Sequence, residues 1–556
     1  MKKTGAQIIA ECLLEQGVDT VFGYPGGAVL NIYDALYEYK DNIHHILTAH
    51  EQGASHAADG YARATGKTGV VIATSGPGAT NLVTGLATAY MDSIPLVAIT
   101  GNVAVDLLGR DSFQEVDITG ITMPVTKYNY IVKDVRHLAD TIREAFCIAR
   151  SGRPGPVLID VPKDVTAKQC EYEPRQPLPI KSAPKPKEQA LRQAERLIQK
   201  AKRPLIYAGG GVIAANATQE LIQFAERVDC PVCSSLMGLG GFPGNHPLYV
   251  GMIGMHGAYE TGMAADQCDL LLVLGARFSD RVAGDREKFC QQAKILQFDI
   301  DLAEVDKNVQ TTHHLVGDLR EVLSVLTQRL EPEQHTDWRN QIAAWRDSVV
   351  KPLEGRGGAP RYAHILSTLR GLTGERDIIA TDVGQHQMWT AQHYRFLQPR
   401  TLLTSGGLGT MGYGLGAAIG AQAAYPDRRV ALVTGDGSFH MNLNELVTLS
   451  SYEMPIVIVL MNNTVLGMVR QWQKLFYGGR FSQTDPHRQT DFVRLAHAFG
   501  VEGLRITTDD EVDFVLKKAF DMKRPVIVDC RISPDDNVLP MIPPGGTVNQ
   551  MITEME

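Results

Sequence analysis

Two polar stretches each follow a run built for burial. VALVTGDGSFHMN spans Val430 to Asn442, and PIVIVLMNN ends on Asn462 and Asn463. Apolar, β-branched runs of this length read as strands buried on both faces. Asp436 and Asn463, 27 residues apart, then fall just beyond two strand ends. That edge is where open α/β sheets bind ligands. One carboxylate and one amide oxygen suit a hard cation such as Mg²⁺, which completes its shell from phosphates and water. Gly435 and Gly437 let the backbone approach closely, and the helix start at Ser438 offers free N–H groups to an anion. The pattern predicts a metal-bridged diphosphate.

The elements that must position these residues repeat within the chain. Residues 70–102 align with 430–462 at a constant offset of 360 without a gap. Val70, Thr74, Leu86, Thr88, Pro95, Val97 and Asn102 match Val430, Thr434, Leu446, Thr448, Pro455, Val457 and Asn462. Both copies read as strand, Gly turn, helix, proline, strand. Where the second copy has Asp436 and Asn463, the first has Gly76 and Val103. Two domains of one architecture and different tasks are expected.

Two linkers divide the chain. Residues 171–187 carry five prolines, and 350–361 read VKPLEGRGGAPR. The three parts, 1–170, 188–349 and 362–556, each alternate short β-branched runs with longer periodic stretches. The expectation is three doubly wound α/β domains with parallel sheets.

Composition narrows the class. The 556 residues are 44% apolar and 21% charged, as in soluble globular chains. A net charge of −8 argues against nucleic acid as a partner. No apolar run reaches the ~18 residues of a membrane span. The start, MKKTGAQIIAECLLEQG, reads as an amphipathic helix rather than a secretory signal, so a cytoplasmic protein is expected. Of eight cysteines, only Cys230 and Cys233 form a CxxC. No second ligand pair at zinc spacing lies near, so a structural role is expected for both.

The GDG-to-NN spacing resembles the motif of thiamine diphosphate (ThDP) enzymes. GLGTMG, with Gly407, Gly409 and Gly412, also fits a dinucleotide fingerprint, with Asp427 20 residues after its first glycine. The ThDP resemblance assigns this segment to the thiamine cofactor instead, with Met411 as a bulky support. In ThDP enzymes a glutamate hydrogen-bonds the aminopyrimidine and helps move the proton from the thiazolium ring. HEQGA places Glu51 as the candidate for that role. Alone, Glu51 reads better as a first-turn glutamate favoured by the helix dipole, and the ThDP motif reverses that.

Further segments extend the resemblance over nearly the whole chain. They are FGYPGGAVL, TSGPGATN, SFQE, SGRPGPVLIDVPKD, SLMGLGGFP, GMHG, LGARFSDR, DVGQHQMW, SGGLGTMGYG and GMVRQWQ. Together they resemble the catalytic subunit of the acetohydroxyacid (acetolactate) synthase family. The resemblance implies a pyrimidine-binding domain, a central FAD-binding domain and a pyrophosphate-binding domain. It implies that pyruvate is decarboxylated on ThDP and the hydroxyethyl carbanion is condensed with a second 2-keto acid. Pyruvate then gives 2-acetolactate and 2-ketobutyrate gives 2-aceto-2-hydroxybutyrate, on the route to branched-chain amino acids.

Residue roles follow from the resemblance alone. Val383, Gly384, Gln385 and His386 would meet the diphosphate, with Gly409, Met411, Gly467 and Met468, and Val465, two after Asn463, would offer its backbone carbonyl to the metal. Gly27, Phe113, Gln114 and Lys163 would line the reaction space. Arg281 would hold the second substrate's carboxylate and Trp472 its alkyl end. FAD would contact Arg153, Gly209, Gly210, Gly211, Leu236, Met237, His256, Gly257, Gly275, Arg277, Asp299 and Asp318. Glu51 and the metal ligands lie in different domains, and the family joins those domains across subunits, so at least a homodimer is implied. A separate small regulatory subunit is a further implied partner. Gly416 stands where relatives usually carry proline, and a looser turn is expected there. GNVAVD (101–106) lacks the proline and basic residues of many relatives. The neighbouring alternatives are pyruvate oxidase, glyoxylate carboligase and the flavin-free catabolic synthases. Glyoxylate carboligase lacks the glutamate found here at Glu51. Arg281 and Trp472 argue against the oxidase, and the FAD contact set against the catabolic type. A non-catalytic nucleotide-binding subunit is the rival of another class, opposed by intact Glu51, Asp436 and Asn463.

Overall fold

The computed structural model describes residues 1–181, 183–349 and 354–554. Residue 182 of the first expected linker and 350–353 of the second lie outside the described residues. In chain order the strands are β1 (Lys2–Thr4), β2 (Thr20–Tyr24), β3 (His44–Leu47), β4 (Gly69–Ala73), β5 (Leu96–Asn102), β6 (Tyr128–Ile131), β7 (Pro156–Pro162), β8 (Gln169–Glu171), β9 (Pro204–Ala208), β10 (Val232–Ser234), β11 (Tyr249–Met252), β12 (Leu270–Leu274), β13 (Lys294–Asp299), β14 (His313–Val316), β15 (Ile378–Thr381), β16 (Leu402–Leu403), β17 (Val430–Gly435), β18 (Val457–Asn462), β19 (Glu502–Ile506) and β20 (Val526–Arg531).

They form three six-stranded sheets and one pair, the antiparallel β1–β8. The first sheet runs β3-β2-β4-β5-β7-β6 and the third β16-β15-β17-β18-β20-β19. Numbered within each sheet, both orders are 2-1-3-4-6-5. The repeat seen in the sequence is therefore a repeat of topology: β4 and β5 correspond to β17 and β18. The central sheet runs β11-β10-β9-β12-β13-β14, the 3-2-1-4-5-6 order of dinucleotide-binding folds. Every pairing within these sheets is parallel. Central strands such as VVIA and IVLM are fully buried because helices cover both faces.

The first and third sheets share one hydrophobic core. Its seam is the Glu51–Thr65 helix packed on the Tyr413–Ala424 helix. Both helices are rich in Gly and Ala, which lets their backbones approach closely. A Cβ on Gly60 would collide with the Ala417 carbonyl, and one on Gly420 with the Ala57 carbonyl. Gly416 belongs to this seam. The looser turn expected there is absent: Gly416 lies inside a continuous helix, and a Cβ would come 2.7 Å from the His56 Cβ. The physical reason is close helix packing.

The N-terminal segment forms the Gly5–Glu15 helix, and Ile8, Ile9 and Leu13 pack into the first domain's outer core. Among the described residues no helix is long and apolar enough to cross a membrane. All eight cysteines are free. Burial pushes the Cys230 and Cys233 thiols well up, so both stay protonated, in keeping with a structural role.

Candidate active site

β17 ends at Gly435, and Asp436 opens the Asp436–Phe439 helix. β18 ends at Asn462, adjacent to β17 in the sheet, so Asn463 emerges beside Asp436. The Asn463 backbone lies near enough to the Asp436 carboxylate to favour its charged form. Both are buried, at 4% and 7% exposure. Burial pushes the Asp436 carboxyl up to about 6, which nearby backbone N–H groups and Arg488 only partly offset. Asn463 Oδ1 accepts the Val465 N–H at 3.2 Å. A carboxylate, an amide oxygen and a backbone carbonyl are the groups that Asp436, Asn463 and Val465 could offer a cation. Among the described residues no three acidic, His or Cys side chains stand together in a way that could hold a metal ion. A site made of these three oxygen types would never show as such a group.

The loop after β15 closes the same edge. Ser438 Oγ donates to the Val383 carbonyl at 2.6 Å. Gly384 and Gly435 leave room for His386: a Cβ on either would come within 3 Å of its ring. His386 is buried and its Nε2 has no partner. Burial pushes its pKa down to about 3, so the ring is neutral, with a nitrogen free to meet a ligand. Gln385 accepts from Asn463 Nδ2 at 3.1 Å and donates to Gln471 at 3.1 Å. A Cβ on Gly467 would collide with Gln385, so the Gly467–Phe476 helix packs hard against this loop. Met468 is half-buried in the core beside it.

The 405–412 loop supplies the upper wall. Gly409 has φ +68° and Gly412 φ +88°, conformations that favour glycine. Met411 Cε lies 3.9 Å from where a Cβ on Gly437 would sit. Asp382 was not singled out in the sequence, yet its buried carboxylate accepts the Gly412 N–H at 2.8 Å and the Val383 N–H at 3.0 Å. It follows the end of β15 as Asp436 follows the end of β17, so the same strand-end rule could have found it.

Arg281 and Trp472 come together from the central and third domains. The guanidinium carbon lies 5.8 Å from the Trp472 ring centroid. Arg281 remains largely exposed, with a Met255 sulfur contact at 3.5 Å. The Trp472 N–H is buried without a partner. Arg281 also lies 3.6 Å from Asp280, but an exposed guanidinium beside an aromatic ring can exchange that partner for a substrate carboxylate with a short alkyl tail.

Glu51 opens its helix, and its Oε2 accepts from Asn81 at 3.0 Å. Glu445, from the third domain, accepts the Ala49 and His50 N–H groups at 3.1 and 3.0 Å. These two partners were missed because only the tertiary fold brings 81 and 445 near 51. Among the described residues no hydrogen bond links Glu51 to Asp436 or Asn463. Gly27, Gln114 and Lys163 lie exposed, beyond the carboxyl edge of the first sheet, and Phe113 is 87% exposed. A Cβ on Gly76 would come 2.9 Å from Gln114, whose φ is +57°. Among the described residues no hydrogen bond or ring contact brings these four to Arg281 or Trp472.

In the central domain, Gly209 follows β9 and Gly275 follows β12, flanking the point where strand order reverses. The Gly211 N–H donates to the Gly275 carbonyl at 2.9 Å, and a Cβ on Gly211 would come 2.6 Å from Gly275 Cα. Gly210 faces Met237, in the short Leu236–Gly238 turn. Asp299 ends β13, and burial pushes its carboxyl up to about 6. Asp318 caps the Leu319–Arg329 helix, accepting from Arg320 and Glu321. His256 is buried with Nδ1 unpartnered, and the Gly257 N–H closes a tight turn onto the Gly254 carbonyl. Arg153 pairs with Glu304 at 2.6 Å, and Arg277 donates to the Met91 carbonyl at 2.7 Å. The glycine cradle at the switch point fits a dinucleotide.

Comparison with known proteins agrees with this geometry. Residues 3–121 match the N-terminal TPP binding domain of thiamine pyrophosphate (thiamine diphosphate) enzymes, 191–326 their central domain and 382–530 their C-terminal TPP binding domain. The chain is 46% identical over 565 residues to the probable acetolactate synthase large subunit of Methanocaldococcus jannaschii, covering 99% of this chain and 95% of that protein. It is 44% identical over 551 residues to the acetolactate synthase isozyme 2 large subunit of Escherichia coli K12, covering 99% and 100%. The Corynebacterium glutamicum acetolactate synthase large subunit is 46% identical over 562 residues, covering 98% and 89%. On the strength of full-length identity and three matched domains, this chain belongs to the acetolactate synthase large-subunit family of thiamine diphosphate enzymes.

Proposed function

We propose that this chain joins pyruvate, with loss of CO₂, to a second 2-keto acid, giving 2-acetolactate from pyruvate and 2-aceto-2-hydroxybutyrate from 2-ketobutyrate. The observation that carries the reading is the Arg281–Trp472 pair, a cation over an aromatic ring at 5.8 Å. Decarboxylation alone needs no grip on a second acid; carboligation does. Bound ThDP supplies the nucleophilic carbon and the electron sink for decarboxylation. Asp436, Asn463 and Val465 would hold Mg²⁺, and Val383, Gly384, Gln385, His386, Ser438 and Gly467 would hold the diphosphate. Glu51 would exchange a proton with the aminopyrimidine ring. Arg281 would fix the second substrate's carboxylate while Trp472 packs on its alkyl end.

The central-domain glycines and His256 would hold FAD. The division into 1–170, 188–349 and 362–556 belongs to the same proposal. So does a homodimer in which Glu51 serves the partner's metal site; the exposed Phe113, Gln114 and Lys163 support it. A small regulatory subunit fits the "large subunit" names of the relatives. Eight free thiols suit the cytoplasm. The test is a product assay from pyruvate, with and without 2-ketobutyrate, omitting ThDP, Mg²⁺ and FAD in turn. Acetolactate that depends on ThDP and Mg²⁺ is expected. Oxygen uptake with acetyl phosphate as product would instead mark a pyruvate oxidase and overturn the reading.

A further inference from the structure

We propose that Asp92 is a positioning residue for the 405–412 loop, a clamp supplied by the first domain to the thiamine site on the third domain of its own chain. The inference rests on the reading above in two respects, the placing of Gly409 and Met411 against the cofactor and the homodimer in which Glu51 serves the partner's site.

Asp92 ends the Val83–Asp92 helix, and its side chain has no exposed surface. Its two oxygens accept consecutive backbone groups of the loop, Gly407 N–H at 2.7 Å and Gly406 N–H at 3.0 Å. Arg63 donates to the same carboxylate at 2.9 Å. Arg63 is in turn held by Asp59 at 2.5 Å, and Asp59 accepts the Tyr413 hydroxyl at 2.7 Å. Tyr413 begins the helix into which the loop runs. Two carboxyl groups share one guanidinium in a dry place. The two glycine N–H groups give the Asp92 oxygens the partners that burial would otherwise deny them. One turn before Asp92, Thr88 Oγ1 shares a 2.7 Å hydrogen bond with Thr410 Oγ1.

The loop is therefore anchored at 406–407 and again at 410, both times by one helix of the first domain. Between the anchors Leu408 is 43% exposed and Gly409 holds a φ of +68°. Bare backbone is required at the anchor, because a Cβ on Gly407 would come 2.8 Å from Asp92 Oδ1. A loop fixed at both ends presents its middle already ordered, and ordering done in advance raises affinity for what binds there. Each first domain then serves two thiamine sites. Glu51 acts chemically on one and Asp92 mechanically on the other.

The test uses the full chain, with Asp92→Asn and Thr88→Val. Asparagine can accept only one of the two glycine N–H groups and sets its own NH₂ against the other. Valine keeps the shape of threonine and breaks the second anchor. ThDP half-saturation is read by fluorescence titration and in turnover, and bound flavin by absorbance per chain. We expect half-saturation to rise at least tenfold in each variant, turnover at saturating ThDP to fall by much less, and flavin content and circular dichroism to match the parent. Half-saturation within twofold of the parent in Thr88→Val and in folded Asp92→Asn overturns the proposal, as does parallel loss of flavin and ThDP. If Asp92→Asn does not fold, Thr88→Val alone decides. A parent chain that binds no ThDP would defeat the functional reading instead.

Discussion

At the scale of single residues, the candidate chemistry depends on groups whose neighbours set their charge. Replacing Glu51 with Gln keeps an oxygen for Asn81 but removes the ionisable proton. Turnover should fall by ~10²–10⁴-fold, the usual worth of a general acid–base group, with the unfolding midpoint unchanged. Full activity in that variant would remove Glu51 from the mechanism. Trp472→Leu should reduce the preference for 2-ketobutyrate over pyruvate by roughly tenfold, since one methylene in an apolar pocket is worth about 1–3 kcal/mol. The check is the product ratio under competition. A pH effect belongs to Asp160, buried in β7 and hydrogen-bonded by Thr100 and Asn102. Burial pushes its carboxyl up to about 7, which those hydrogen bonds only partly offset. The folded chain holds this proton to higher pH than the unfolded chain. Its contribution is fully present below the ordinary carboxylate range and is lost as pH rises through about 7. Asp160→Asn should therefore stabilise the chain near pH 8, by ~1–3 kcal/mol, with the gain fading toward pH 4. Thermal midpoints across that range would show it.

At the scale of elements, the Gly- and Ala-rich seam between Glu51–Thr65 and Tyr413–Ala424 sets where Glu51 stands. A methyl group on Gly420 would meet the Ala57 carbonyl. Gly420→Ala should cost about 1–3 kcal/mol, as overpacking does. Gly371, in the Tyr362–Leu372 helix, has nothing within 4 Å of an added Cβ. Gly371→Ala should instead be neutral or stabilising by up to ~1 kcal/mol. Melting the two variants side by side separates packing from helix propensity. Equal effects would mean that the seam is not tight.

At the scale of the whole molecule, the proposed dimer makes a sharper prediction. Glu51→Gln and Asp436→Asn chains should each be inactive. A mixed dimer holds one site with both residues intact. Refolding the two together should restore ~25% of parental activity, from half the dimers with one good site in two. No recovery despite proven exchange would place both residues in one chain's site. Stripping Mg²⁺ with a chelator should release ThDP and leave flavin bound, since Asp436 and Asn463 lie a domain away from the glycine cradle.

Local physics made much of this legible in the sequence. Buried strands announce themselves by β-branched runs, so three parallel sheets and the 360-residue repeat could be read directly. Asp436 and Asn463 were visible because a polar residue ending a buried strand has few reasons to be there. Glu51, Arg281 and Trp472 carried no such local mark and were reached through resemblance. The fold alone decided the rest. Gly416 looked like a loosened turn, but a glycine's role depends on what lies opposite, and here that is another helix. Asp92, Asn81 and Glu445 act on residues 30 to nearly 400 positions away. Sequence spacing determines which side chains share a strand or a helix; which strands and helices touch is set by packing across domains, and burial strengthens the polar contacts made there.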